Sequence, residues 1–167
     1  MKLSVETIAE TVEALIFVHE KMIEHAREKT EILKNADMSA LEEQIRKEDA
    51  LVAKMTELEE LRLQQVIQFL SDKGIFIGNP TVSQFLGHVD GNGRDRMADL
   101  FDRLTEAVLE LKRQNGLNQS LIEQSLQFVN VTANLLSPGN EPSNYGHPDE
   151  SKNRTAFKQR SMFDSKA

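Results

Sequence analysis

Residues 97–136 read MADLFDRLTEAVLELKRQNGLNQSLIEQSLQFVNVTANLL, a run without proline. Placed on a wheel at about 100° per residue, the run predicts one long helix. Met97, Leu100, Leu104, Val108 and Leu111 form an apolar stripe that continues through Ile122, Val129, Ala133 and Leu136. A second face, about a third of a turn away, changes character partway along. In the first half it carries Asp99, Arg103, Glu106, Glu110 and Arg113; in the second it carries Leu117, Leu121, Phe128, Val131 and Leu135. Asn118, Ser125 and Thr132 separate the two stripes. The continuous stripe predicts an internal seam. The local one predicts either a surface for a partner or a face covered by another helix of this chain.

Two more long helices precede it. From Ser4 to Lys34, residues Val5, Ile8, Val12, Leu15, Ile16, Met22, Ile23 and Ala26 fall in one narrow stripe, with Glu and Lys around the rest. Asn35-Ala36-Asp37 makes a turn, and Ser39-Ala40-Leu41-Glu42 has the form of a capping box. A second helix is expected from Ala40 to Lys73. Its main stripe is Leu41, Ile45, Val52, Met55, Leu63, Val66 and Leu70, and a second is Leu51, Leu58 and Phe69. Two stripes suit a middle helix touching two neighbours. Glu48 and Glu59 interrupt the main stripe, which predicts loose or water-lined packing there. Gly74 ends the helix in a left-handed cap, with Ile75 as its hydrophobic contact. Each helix would be about 45–50 Å long, and the short turn makes them an antiparallel hairpin.

Glycine is absent before Gly74 and then frequent up to Gly93, which marks a connector. Asn79-Pro80-Thr81-Val82 resembles a cap, a first-turn proline and a short helix through Leu86. Asp90-Gly91-Asn92-Gly93 resembles the start of a calcium loop, but the position that needs a carboxylate is Phe101, so it reads as a turn. Gly116 reads as a glycine tolerated inside the third helix at a cost of about 1 kcal/mol. Residues 137–167 hold Pro138, Pro142 and Pro148 and few aliphatic residues, the composition of a disordered tail. The fold class is therefore all-α: an elongated antiparallel bundle or coiled coil of three long helices, a short connecting helix, and that tail. The domain division is 1–136 and 137–167.

The chain has 167 residues, enough for one ordinary domain. Only 5% of residues are aromatic, a level that helical bundles built on Leu, Ile, Val and Met tolerate. The net charge of −7 argues against nucleic acid and against an anionic membrane surface. The absence of cysteine excludes disulfides, thiolate zinc sites and cysteine nucleophiles, and it fits a cytoplasmic location. No apolar run is long enough to span a membrane, and MKLSVETIAETVEAL is not a signal peptide. His19 and His25 lack the spacing of a helical zinc pair. His19 sits in an apolar stripe and reads as a structural histidine, not a phosphotransfer site. No phosphate loop and no catalytic Ser–His–carboxylate pattern occurs. The expectation is a binding protein without catalytic residues, metal or cofactor.

Three stretches carry a family resemblance: QNGLNQSLIEQSLQFVNVTANLL at 114–136, Asn144-Tyr145-Gly146, and Ser161-Met162-Phe163-Asp164-Ser165-Lys166-Ala167. The last is similar to an S-L-F-D-R-K-A ending, with Met for Leu and Ser for Arg. The chain resembles the FlgN-type flagellar export chaperones. The resemblance implies a cytoplasmic helical protein that holds the hook–filament junction proteins FlgK and FlgL by their terminal helices. It also implies delivery to the export-gate protein FlhA. The client-binding residues it implies, matched to the second apolar face, are Leu117, Leu121, Ile122, Ser125, Phe128, Val129, Val131, Thr132 and Leu135. Tyr145, the single tyrosine, would dock on the cytoplasmic domain of FlhA. The alternative from periodicity alone is a homo-oligomeric coiled-coil scaffold; phosphotransfer at His19 is a more distant reading.

Overall fold

The computed structural model describes residues 3–136. It contains α1 (Val5–Lys34), α2 (Met38–Ser71), α3 (Val82–Leu86) and α4 (Gly91–Leu136), with no strand among the described residues. The all-α arrangement expected from the sequence is what the chain adopts. Chain contacts divide it into a first unit ending at Gln127 and a second beginning at Phe128.

Each helix in the first unit starts and stops for a local reason. Ser4 caps α1 by accepting the Thr7 N–H at 3.2 Å. Behind Lys34 the chain reverses through Ala36, which takes a left-handed φ of 52°. Asp37 then caps α2, its carboxylate accepting the Ala40 N–H at 3.0 Å. The expected capping box at Ser39 and Glu42 is therefore not used. Asp37 already holds the extended backbone of a cap, and Ser39 lies inside the first turn. At the other end of α2, Gly74 has φ 79°. Its N–H bonds to the Ser71 carbonyl and the Ile75 N–H to the Leu70 carbonyl, both at 2.9 Å. This is the Schellman closure that the glycine predicts. Ile75 packs against the cluster that contains Leu70.

Two further boundaries differ from expectation. The cap of α3 is Thr81 and not Asn79: Thr81 and Gln84 form a complete capping box, with Pro80 just outside. Helix α4 begins at Gly91, not Met97. The Asp90–Gly93 stretch is a helix start because the first-turn N–H groups need no intrahelical partner. Gly91, at φ 57°, supplies the bend into it.

The core of the first unit lies between α1, α2 and the first part of α4. At one end Ile8, Val12, Val66, Leu70, Met97 and Leu100 are buried around Phe85. Phe85 meets Phe69 and Phe101 edge-on, at centroid distances of 5.4 and 6.0 Å. Further along, Leu15, Met22, Ile23, Met55, Leu58 and Leu111 form a second cluster. Side-chain bonds give the directions. The Leu3 N–H donates to Asp72 at 3.4 Å and Lys29 reaches Glu48, so the start of α1 lies beside the end of α2 and the two helices are antiparallel. Arg96 pairs with Glu6 and Glu13, and Arg27 with Glu110, so α4 runs with α1. Glu48 does not mark a loose patch: Lys29 Nζ approaches it at 2.7 Å in a half-buried site. Glu59 is an exposed residue paired with Arg62.

Candidate partner-binding face

The packed part of α4 follows a seven-residue repeat. Met97, Leu104, Leu111 and Asn118 occupy a positions; Leu100, Ala107 and Gln114 occupy d positions. All are buried or half-buried. This is the period of a left-handed coiled coil, which drifts about 20° per heptad from a straight 3.6-residue helix. The expected continuous seam is corrected accordingly. Val108 is 37% exposed because it lies beside the heptad seam and not on it; Val129 at 60% and Leu136 at 76% are exposed along with their neighbours Phe128 and Leu135. Continued along α4, the repeat gives Ser125 and Thr132 at a, and Leu121, Phe128 and Leu135 at d. Leu121, Phe128 and Leu135 thus continue the internal seam. Leu117 and Val131 fall at g, the positions held earlier by Arg103 and Glu110.

A polar layer closes the covered part. Gln114 Nε2 donates to Thr30 Oγ1 at 2.7 Å, and Asn118 Nδ2 donates to the Ala26 carbonyl at 2.8 Å. Thr30 Oγ1 lies within bonding distance of both Asn118 Oδ1 and the Ala26 carbonyl and has one proton to give. Thr30, Gln114 and Asn118 are all buried, so the layer meets the rule that interior polar groups are paired. Nothing in the local sequence around Thr30 or Gln114 marks them as partners. The signal that finds them is the heptad, which puts Gln114 at d beside Asn118 at a.

Beyond this layer the cover ends. Leu121 and Ile122 are half-buried, and Glu123–Gln127, including Ser125, are exposed. In the second unit Phe128 is 72% exposed and Leu135 81%, Val129 and Val131 are exposed, and Thr132 is half-buried. Leu117 is exposed. Ser125 and Thr132 turn their hydroxyls back to the carbonyls of Leu121 and Phe128, which spends their donors within the helix. Tyr145 and the whole of 137–167 lie outside the described residues.

The expected structural role of His19 agrees with its position. It is 5% exposed, and Nδ1–H donates to the Leu15 carbonyl at 2.8 Å. A carbonyl only accepts, which fixes the proton on Nδ1. Among the described residues no cluster of His, Asp and Glu is arranged to hold a metal, and no described helix is long and apolar enough to cross a membrane.

The model of the family described as FlgN protein matches residues 1–153, and the chain belongs to that family. It is accordingly a chaperone-type protein of flagellar biogenesis, and the family's role is binding, not catalysis. The chain is also similar to the uncharacterized protein YvyG of Bacillus subtilis (strain 168). The two are 27% identical over 165 residues, which is 99% of this chain and 100% of the relative. No solved structure matches it.

Proposed function

We propose that this protein is a cytoplasmic chaperone for the hook–filament junction proteins FlgK and FlgL, and that it hands them to FlhA at the flagellar export gate. The observation that carries the reading is the exposure of Phe128, Val131 and Leu135 on a helix whose earlier heptads are buried. A terminal helix of the client docks on this face, helix against helix. Docking covers apolar surface on both proteins and makes no covalent bond, so release needs only a competing interaction at the gate. Leu121→Asp places a charge where a client side chain would sit. Binding of FlgK and FlgL should fall at least tenfold while circular dichroism stays unchanged. Unaltered affinity in a folded variant refutes the reading, and loss of the fold would make Leu121 a core residue.

Delivery is assigned to Tyr145, which belongs to a different part of the chain from the client face. A tyrosine offers a large apolar ring and one hydroxyl to orient it in a pocket. Tyr145→Ala should leave the FlgK and FlgL complexes intact and weaken their capture by the cytoplasmic domain of FlhA. Loss of client binding in this variant would show that the two roles are not separate.

A further inference from the structure

We propose that the start of α2, residues 38–50, is a strap that opens from α1 while the rest of the first unit stays folded. The polar cluster around Gln44 is its latch. The strap lies wholly within the first unit, and it operates whichever partner the protein binds.

The first ground is where the apolar core stops. In α2 the side chains packed into the second cluster begin with Leu51 and Val52, which are half-buried, and Met55, which is buried. Between Met38 and Lys54 the one buried side chain is Gln44. Leu41 and Ile45 are half-buried, and Met38 is 64% exposed. Local opening is easiest where few apolar side chains are buried, because it then exposes little apolar surface. A helical stretch this short is marginal in water without tertiary support, so the strap unwinds as it leaves. The Arg46–Glu42 and Lys47–Glu43 pairs are exposed and add little to its hold.

The second ground is unequal anchorage. Gln44 Nε2 lies 2.7 Å from His25 Nδ1, 2.9 Å from Glu28 Oε2 and 3.2 Å from the His25 carbonyl, with two protons for three acceptors. Lys29 Nζ donates to Glu48 at 2.7 Å. Among the described residues, these are the hydrogen bonds that join side chains of the strap to another element, and all of them go to α1. The end of α1 is held by α4 as well. Arg27 pairs with Glu110, Asn118 donates to the Ala26 carbonyl, and Gln114 donates to Thr30. Breaking the latch therefore frees the strap and leaves α1 docked on α4. In the open state α2 begins near Leu51, and Leu41, Gln44 and Ile45 are uncovered.

Native-state hydrogen exchange of the full chain, in urea below the unfolding midpoint, tests the strap. Relative to their intrinsic rates, amides of 42–50 should exchange about a hundredfold faster than those of 65–70 in the same helix. Their rates should stay nearly flat as urea rises, because the opening exposes little surface. The rates at 65–70 should climb with the slope of global unfolding. Amides of 29–34 in α1 should be about tenfold better protected than those of 42–50. Gln44→Ala should speed exchange at 42–50 by about tenfold. One protection level and one urea slope for 42–50 and 65–70 overturns the strap. Exchange at 29–34 as fast as at 42–50 overturns the anchorage of α1, since the whole hairpin end then opens together. An unchanged rate at 42–50 in a folded Gln44→Ala overturns the latch. The urea series uses the unaltered chain, so it decides the strap even if Gln44→Ala does not fold.

Discussion

Phe85 and Phe128 are the same residue type in opposite situations, and replacing each by alanine separates folding from binding. Phe85 is 1% exposed and packs edge-on against Phe69 and Phe101. A buried Phe→Ala change costs about 3–5 kcal/mol through lost transfer energy and the cavity it leaves. Two edge-to-face partners place Phe85 toward the upper end of that range. Against a typical domain stability of about 5–15 kcal/mol, the loss is a third or more. Phe128 is 72% exposed, so Phe128→Ala should change stability by no more than about 0.5 kcal/mol. Covering its ring with a client helix is worth about 1.5–3 kcal/mol, or about 10–100-fold in affinity. Urea unfolding followed by circular dichroism gives the midpoints, and titration with FlgK gives the affinities. An unchanged denaturant slope certifies that midpoints report stability. If Phe128→Ala costs more than about 2 kcal/mol without client, the ring is covered within the free protein and the binding-face argument fails. If Phe85→Ala costs less than about 1 kcal/mol, the aromatic centre of the core is wrong.

Thr30→Val keeps the volume but removes the hydroxyl that serves Gln114 and Asn118; it should cost about 1–3 kcal/mol, more than Thr30→Ser, and a neutral result would remove the polar layer from the argument. The Glu110 carboxyl is held down to about 2 by hydrogen bonds from Arg113 and then Arg27. An unfolded glutamate titrates near about 4.3, so this depressed group contributes stability above that pH and loses it as pH falls through its folded value. Glu110→Gln should therefore flatten the fall of the urea midpoint with acidification between roughly pH 4.3 and 2, and an unaltered slope contradicts the pairing. A side chain added at Gly116 would meet nothing within 4 Å, so Gly116→Ala should raise stability by about 1 kcal/mol in the same assay; a loss would reveal a bend in α4 that needs glycine. With one charge from Gln114 to Leu136, FlgK affinity should change less than about threefold between low and high salt, and a steep fall would place the contact on the charged body instead.

Much of the fold is legible in the chain because apolar spacing and punctuation agree. Helix α1 is expected from Ser4 to Lys34 and found at Val5–Lys34, and α2 lies within two residues of expectation at both ends. Gly74 and Ile75 close α2 as their types predict. The start of α4 was obscured because Asp90-Gly91-Asn92-Gly93 has the composition of a turn, whereas a helix tolerates such residues in its first turn. The free face was visible as an excess of apolar residues, but its register was not. A straight 100° wheel accumulates error against a heptad, so one seam through Leu100, Gln114, Leu121 and Phe128 looked like an exchange of faces. The polar layer was hidden for another reason: Thr30 and Asn118 stand 88 positions apart, and no local pattern announces their contact.

That layer bears on the register of α4 within the first unit. An apolar heptad seam is permissive about register, because a shift of seven residues exchanges one aliphatic contact for another. Asn118 and Gln114 remove that freedom. If α4 slid one heptad into the bundle, Asn118 would leave Thr30 and the Ala26 carbonyl for the level of Met22 and Ile23, which are buried apolar side chains. Thr30 would then face Leu121 and Ser125. Each buried amide or hydroxyl left without a partner costs about 1–3 kcal/mol, so the shift strands several groups at once and gains little aliphatic contact. A polar residue at a coiled-coil core position acts in this way to fix register. In this protein the Thr30–Gln114–Asn118 layer fixes which residues of α4 lie in the core of the first unit.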